Sequence, residues 1–252
     1  SKPHGMLLVT GPTGSGKSTT LYATLSAISK ATVNVITVED PVEYRLAGVN
    51  QVQVNHKAGL TFAAALRTIL RADPDILLVG EIRDRETATI AMEAALTGHL
   101  VLSTLHTNDA SSTPTRLVEM GLEPYLVSSA VDCVVAQRLI RRLCERCKVA
   151  YFPTPVDLNA LGWDLDVEEA PDELFQPVGC GACSRTGYQG RFALHEVMMV
   201  SEDIKAMVAE RAHPEDIRKV AVAQGMGTLR QTGLAHVRNG LTSVEELLRV
   251  VA

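Results

Sequence analysis

Gly11-Pro12-Thr13-Gly14-Ser15-Gly16-Lys17-Ser18 follows the apolar run Met6-Leu7-Leu8-Val9 and leads into Thr19-Thr20-Leu21-Tyr22-Ala23-Thr24-Leu25, which reads as a helix. A strand, a glycine-rich loop and a helix in that order turn a G-x-x-x-x-G-K-S match into a phosphate-binding loop rather than an ordinary turn. Glycines let backbone N–H groups curl around a phosphate, and the N-terminus of the following helix adds a favourable dipole. The Lys17 ammonium reaches β- and γ-phosphates, and the Ser18 hydroxyl ligates Mg²⁺. Gly11, Pro12, Thr13, Gly14, Ser15, Gly16, Lys17, Ser18 and Thr19 are therefore the candidate residues for binding a nucleoside triphosphate.

Outward from this loop the chain alternates strands and helices, the pattern of an α/β fold with a parallel sheet. Val33 to Val38 reads as a buried strand ending in Glu39-Asp40-Pro41, and Val49 to Val54 as an exposed strand or hairpin arm. Phe62, Ala65, Leu66, Ile69 and Leu70 fall on one face of a helix predicted from near Thr61 to Arg71, stopped by Asp73-Pro74. Ile76-Leu77-Leu78-Val79 is a short continuous apolar run of the kind a parallel sheet buries on both faces. It ends in Gly80-Glu81, and Asp84 is placed to cap a helix through Leu96. Leu100-Val101-Leu102 is a further strand, with His99 before it and His106 beyond it. Ligands of open α/β sheets sit at the carboxyl ends of the strands, where Glu39, Asp40, Glu81 and His106 fall. Hydrolysis needs a carboxylate to organise the metal and another to position or deprotonate water. Glu39 and Glu81 are the candidates, against the alternative of solvated surface acids. The two histidines are candidates for sensing a γ-phosphate or relaying its presence to a neighbouring subunit, against a purely structural role.

From Leu117 to Leu143 the pattern reads as helical, with Cys133 buried in it. Arg191-Phe192-Ala193-Leu194 reads as a short strand, Pro214 as a first helical position, and Ser243-x-x-Glu246 as a capping box. Cys144-x-x-Cys147 and Cys180-x-x-Cys183 are separated by 32 intervening residues. Each pair supplies two thiolates, so the four predict a closed tetrahedral Zn²⁺ site with a structural role, redox thiol pairs being the alternative. The spacing exceeds that of a zinc ribbon and leaves room for a helical excursion through Leu158 and Trp163. Arg138, Arg141, Arg142 and Arg146 cluster nearby, as a solvated helix face or as a docking surface for a cytoplasmic partner or a neighbouring subunit.

The 252 residues carry a formal net charge of −5 with 46% hydrophobic and 21% charged residues, ordinary for a globular chain. The acidic balance argues against a surface built for nucleic acid. No apolar run is long enough for a membrane-spanning helix.

GPTGSGKST (11–19), VITVEDPVEYRL (35–46), ILRADPDILLVGEIRDRETA (69–88) and TGHLVLSTLHTNDA (97–110) resemble, in order, the Walker A, Asp, Walker B and His boxes of the type II/type IV secretion-system and pilus ATPases. GCGACSRTGYQGR (179–191) resembles that family's second cysteine pair. The resemblance implies a RecA-like P-loop core over residues 1–140, a zinc-binding tetracysteine subdomain over 141–190 and a small helical region over 191–252. It implies ATP, Mg²⁺ and Zn²⁺ as cofactors, a homo-hexameric ring, and hydrolysis that drives an inner-membrane platform protein. The protein would work in the cytoplasm at the inner face of the bacterial inner membrane, held there through partners, with cytoplasmic regulatory partners besides. By the same resemblance Glu39 is the general base or water-positioning residue and Glu81 organises the Mg²⁺ shell. His106 and His99 form the His-box pair, with His106 nearer the γ-phosphate. The tetracysteine insertion resembles the pilus-assembly and secretion branch. A DNA-transport ATPase of the same superfamily and a nucleotide-gated scaffold are the alternatives. The chain opens on Ser1 and reaches its first strand within about six residues, so it reads as a fragment whose N-terminal domain, with the family's trans-acting arginines, lies outside it.

Overall fold

β1 (Gly5–Thr10), α1 (Lys17–Ile28), β2 (Val35–Glu39), β3 (Asn50–Gln53), α2 (Phe62–Ile69), β4 (Ile76–Val79), α3 (Arg85–Leu96) and β5 (Leu100–Leu105) follow one another in the computed structural model, which describes residues 4–163 and 171–251. There follow α4 (Ser112–Glu119), α5 (Pro124–Ala130), β6 (Val131–Leu143), β7 (Val149–Tyr151), α6 (Pro155–Leu161) and β8 (Leu174–Gln176). The chain closes with β9 (Tyr188–Met199), α7 (Glu202–Ala209), α8 (Pro214–Ala223), α9 (Leu229–Arg238) and α10 (Val244–Val251). Two compact units result: Ser1–Ala136 with Val197–Met226, and Gln137–Glu196 with Gly227–Ala252. Residues 191–252 thus divide between both units, unlike the single helical region expected from the sequence.

The first unit is built on the sheet with strand order β3-β2-β4-β5-β1-β6-β9, to which β6 contributes residues from Val131 and β9 residues up to Met199. Its β1–β5, β5–β4, β4–β2 and β2–β3 pairings are all parallel, as is β1–β6. The pleat sorts the strand residues onto two faces. Val9, Val35, Ile76, Leu78 and Leu102 share one face and pack against Leu21, Tyr22 and Leu25 of α1. Each of these fully buried side chains contributes on the order of 1.5–3 kcal/mol. The alternate residues, Leu8, Leu77 and Val101 among them, face the other way, where α2 and α3 bring buried Leu66, Ala91 and Met92. The helices begin as their caps dictate: the Thr61 hydroxyl accepts from the Ala64 N–H, and the Asp84 carboxylate from the Thr87 N–H.

Several expectations are corrected. Leu117 to Leu143 is not one helix, because Gly121 takes φ +92 after α4, and Pro124 restarts a short α5. Val131 onward is then a strand, in which the β-branched Val131, Val134 and Val135 pair with β1. Its sequence VDCVVAQRLIRRL buries residues at irregular spacing, which mimics a helical period. Cys133 is buried in that strand, not in a helix. Of the two readings of Val49 to Val54, the exposed strand holds and the hairpin arm does not: β3 is a parallel edge strand on β2, with Gln51 opposite Thr37. The short strand expected at Arg191–Leu194 extends over the twelve residues of β9.

In the second unit β7 and β8 pair antiparallel, Ala150 opposite Phe175. The helical excursion through Leu158 is α6, opened by a Thr154–Asp157 capping box and closed at Gly162 before Trp163. The capping box read at Ser243 is half made. The Ser243 hydroxyl accepts from the Glu246 N–H at 3.2 Å, while the buried Glu246 carboxylate turns to Arg141 and Arg249.

Candidate active site and four-cysteine centre

The loop between β1 and α1 turns on backbone that only glycine adopts without strain. Gly14 has φ +79 with no atom within 4 Å of where a Cβ would stand, so the backbone angle and not a lack of room calls for glycine there. Gly16 is the N-cap of α1 at φ +88 and ψ 16. The first turn of α1 has no acidic residue and no side-chain cap, so its N–H groups and positive dipole end face the loop. Lys17 folds back over the loop, its Nζ donating to the Gly11 carbonyl at 2.8 Å and the Pro12 carbonyl at 3.0 Å. Ser18 and Thr19 are exposed on the first turn, and Ser15 is buried. A glycine cradle, an uncompensated helix N-terminus, an ammonium and an exposed hydroxyl are the donor set that a triphosphate with Mg²⁺ requires.

Neighbouring strands carry the other candidates to the same edge of the sheet. β5 and β4 lie in sequence beside β1, so the residues just past their ends are brought together. His106 Nε2 stands 2.8 Å from Glu81 Oε1, and Arg83 donates to Glu81 Oε2 at 2.7 Å. Arg83 therefore ties to Glu81 itself. The segment beneath them is locked: Ser103 Oγ donates to the Val79 carbonyl and Thr104 Oγ1 to the Gly80 carbonyl, both at 2.7 Å.

Glu39 ends β2, buried on the face that α1 covers. Its Oε2 accepts a hydrogen bond from the Tyr22 hydroxyl. Its Oε1 accepts from Thr37 Oγ1 at 2.6 Å and Gln51 Nε2 at 3.1 Å. Burial and the hydrogen bond to Glu39 push the Tyr22 phenol well above its ordinary pKa, so Tyr22 remains a donor. Asp40, beyond it, lies 3.4 Å from His56 Nε2.

His99 does not join this edge. It precedes β5, and its carbonyl accepts from the Gly5 N–H at the start of β1. Six strand residues at ~3.3 Å each separate that end from His106. The His99 Nδ1 lies 2.9 Å from the Ala94 carbonyl, which can only accept, so the ring closes the last turn of α3 as a donor.

The four cysteines of the two C-x-x-C pairs converge in the second unit. The Sγ atoms of Cys144 and Cys180 are 3.9 Å apart, those of Cys147 and Cys183 3.8 Å, and those of Cys180 and Cys183 3.8 Å. Four sulfurs each ~2.3 Å from one tetrahedral ion stand ~3.8 Å apart. All four are free thiols, and the set is the one His/Cys/Asp/Glu cluster of metal-holding geometry among the described residues. Backbone N–H groups point at the sulfurs: Cys180 and Gly187 at Cys183, at 3.1 and 3.3 Å, and Gly179 at Cys147, at 3.4 Å. The N–H groups of Cys180, first, and of Gly187 bring the Cys183 thiol down to about 6. The turn needs its glycine, since a Cβ on Gly179, at φ +106, would stand 2.5 Å from the Arg185 carbonyl oxygen. The cluster fits a tetrathiolate metal. Cys133 lies outside it, its thiol pushed up to about 11 by burial and Asp132.

The family model for type II/IV secretion system proteins matches residues 1–249. The chain belongs to that family. The type IV pilus assembly ATPase PilB of Thermus thermophilus is 52% identical over 248 residues, covering 98% of this chain and 28% of its own length. The type II secretion system protein HxcR of Pseudomonas aeruginosa is 51% identical over 249 residues, covering 99% of this chain and 49% of its own. Among solved structures, that of the pilus retraction motor PilT with bound ADP superposes with a TM-score of 0.72 at 30% identity, over 98% of this chain and 61% of that one. The chain thus spans half or less of these curated relatives.

Within this secretion-family chain, sequence reasoning missed Tyr22, Thr37 and Gln51. Tyr22 reads as one more apolar position of α1, although it lies one helical turn beyond Ser18. The predicted arginine cluster is not a helix face: Arg141 lies on β6, bound to Glu246 at 2.6 Å and stacked 4.0 Å from the Tyr188 ring centre, and Arg142 pairs with Glu145.

Proposed function

We propose that this chain is the ATP-hydrolysing motor segment of a pilus-assembly or type II secretion machine. The observation that carries the reading is the single sheet edge on which the phosphate loop of β1 and the Glu81–His106 pair beyond β4 and β5 come together. The named activity of PilB supports ATP as the nucleotide, and the bound ADP of PilT supports the loop as its site. In this reading Lys17 exchanges the Gly11 and Pro12 carbonyls for phosphate oxygens, and the α1 N–H groups complete the cradle. Ser18 and Glu81 would hold Mg²⁺, which would supply charge neutralisation at the phosphates. Glu39 accepts the proton of, or orients, the attacking water. His106 couples Glu81 to the γ-phosphate side of the site, and Arg83 holds the other oxygen of Glu81. His99, at the far end of β5, acts on this site only through α3 or through another subunit. The four cysteines would hold Zn²⁺ as its full set of four ligands, and the ion would order the second unit rather than supply chemistry to hydrolysis.

The working assembly is a homo-hexamer on the cytoplasmic face of the bacterial inner membrane, coupled to a platform protein there. Among the described residues no helix is long and apolar enough to cross a membrane, consistent with attachment through partners. The relatives at about half identity are named for assembly and secretion, which favours extension or export over retraction as the direction of work.

Two variants of the intact protein test the site. Lys17→Ala is expected to abolish ATP binding measured by titration. Glu81→Ala is expected to retain binding and lose ~100-fold or more in turnover, as removal of a transition-state contact does. Wild-type turnover in Glu81→Ala would remove Glu81 from the mechanism.

A further inference from the structure

Glu39 is a buried carboxylate whose recorded partners among the described residues include no cation. An ionised carboxylate in that position is tolerated only when neutral donors fill its lone pairs. Three do so, and the fold supplies each by the pleat. Thr37 precedes Glu39 by two residues on β2 and so shares its face. Gln51 stands opposite Thr37 on β3. Tyr22 comes from α1, which packs on that same face. A carboxylate has about four acceptor sites, so three fixed donors leave one, in one direction.

Tyr22 differs from the other two donors in where it comes from. Thr37 and Gln51 belong to the sheet, whereas Tyr22 lies on the helix that begins at Lys17. It is held in place independently of Glu39: it is 2% exposed, its ring meets Tyr44 edge-on at 4.6 Å, and its hydroxyl accepts from the Glu43 N–H at 3.3 Å. The chain just beyond Glu39 is folded around the same hydroxyl. Helix α1 therefore has the phosphate-binding groups on its first turn and a hydrogen-bond donor to Glu39 on its second.

We propose that Tyr22 is a positioning residue for hydrolysis: its hydroxyl orients the Glu39 carboxylate and ties that orientation to the helix whose first turn binds the phosphates. The proposal rests on the assignment of Glu39 as the residue that handles the attacking water. Misplacing such a group by about 1 Å costs ~100-fold in rate while leaving ground-state binding intact. The test is a double-mutant cycle in the intact protein, with Tyr22→Phe, Glu39→Gln and the pair. Steady-state kinetics and the nucleotide Kd are measured for each. Tyr22→Phe keeps the ring and its contact with Tyr44 and deletes only the donor.

The expected result is a kcat lowered ~10- to 100-fold, an unchanged Kd that also reports a folded site, and no further loss when Tyr22→Phe is added to Glu39→Gln. Thr37→Val, which removes a donor from the other oxygen, is expected to show the same split of kcat from Kd. A wild-type kcat in Tyr22→Phe beside an impaired Glu39→Gln overturns the positioning role alone. Additive losses in the double variant overturn it as well, because Tyr22 would then act by another route. Wild-type turnover in Glu39→Gln overturns the assignment of Glu39 and the proposal with it.

Discussion

At the scale of single residues, chemistry and position separate the two histidines that one sequence box brings together. His106 meets Glu81 at the carboxyl end of the sheet, and His99 closes α3 at the opposite end. His99→Ala is therefore expected to lower the thermal stability of the protein by about 1 kcal/mol, the worth of one side-chain to backbone hydrogen bond. It is expected to leave the nucleotide Kd unchanged. A Kd weakened tenfold without loss of stability would return His99 to the nucleotide site. The positions of Glu81 and His106 were legible in the sequence, because a short apolar strand of a parallel sheet carries the polar residues after it to the sheet's carboxyl edge. Tyr22 was not legible, because an aromatic at helical spacing reads as core. Its hydroxyl gains meaning only when Thr37, Glu39 and Gln51 are on the page as one face of β2 and β3.

At the scale of elements, strands bounded by turn residues and helices with strong caps are read correctly, and β6 is not. VDCVVAQRLIRRL satisfies a helical period as well as a strand one, and it is the parallel pairing with β1, which sets Val131 beside Met6 far back in the chain, that decides it. The same strand explains the lost half of the α10 capping box. Arg141 on β6 and Arg249 on α10 both claim Glu246, whose side chain is fully buried. Burial alone would raise the Glu246 carboxyl. The hydrogen bonds from Arg249, from the Arg141 guanidinium and from the Arg141 N–H outweigh it and bring the carboxyl down to about 2. Because the folded value lies below the ordinary value of 4.5, the ionised group stabilises the fold above about pH 4.5. That contribution is lost as pH falls from there toward about 2. Urea unfolding followed from pH 6 to pH 2 is expected to show this decline, and Glu246→Gln is expected to be less stable at pH 6 and to flatten it. An equal decline in the variant would place the acid sensitivity elsewhere.

At the scale of the whole molecule, the two candidate ligand sites fall in different compact units: the phosphate loop in one, and all four cysteines in the other. The sequence placed the loop and the cysteines in separate regions, 1–140 and 141–190, but not the way each unit is made of two separate stretches of chain. It follows that the two ligands stabilise different backbone. A nucleotide present at a hundred times its Kd adds about 2.7 kcal/mol to the folded state of the unit that binds it. Hydrogen exchange is then expected to slow in the backbone of Gly11 to Tyr22 on adding ATP with Mg²⁺. In the proposed zinc site, a chelator would remove the ion that offsets the cost of gathering four thiolates. Exchange is expected to accelerate at Gly179, Cys180 and Gly187, whose N–H groups point at cysteine sulfurs. Zinc returned in slight excess is expected to restore their protection, and Cys180→Ser to abolish the restoration. Cys133→Ser is the matched control, since that thiol lies outside the cluster and is expected to leave the response to chelator intact. Native protein free of zinc by elemental analysis, or a chelator without effect on those three N–H groups, would return the cysteines to the redox alternative. Thiol pairs acting in that way would be expected to close disulfides under mild oxidant, with a loss of four titratable thiols and no dependence on zinc.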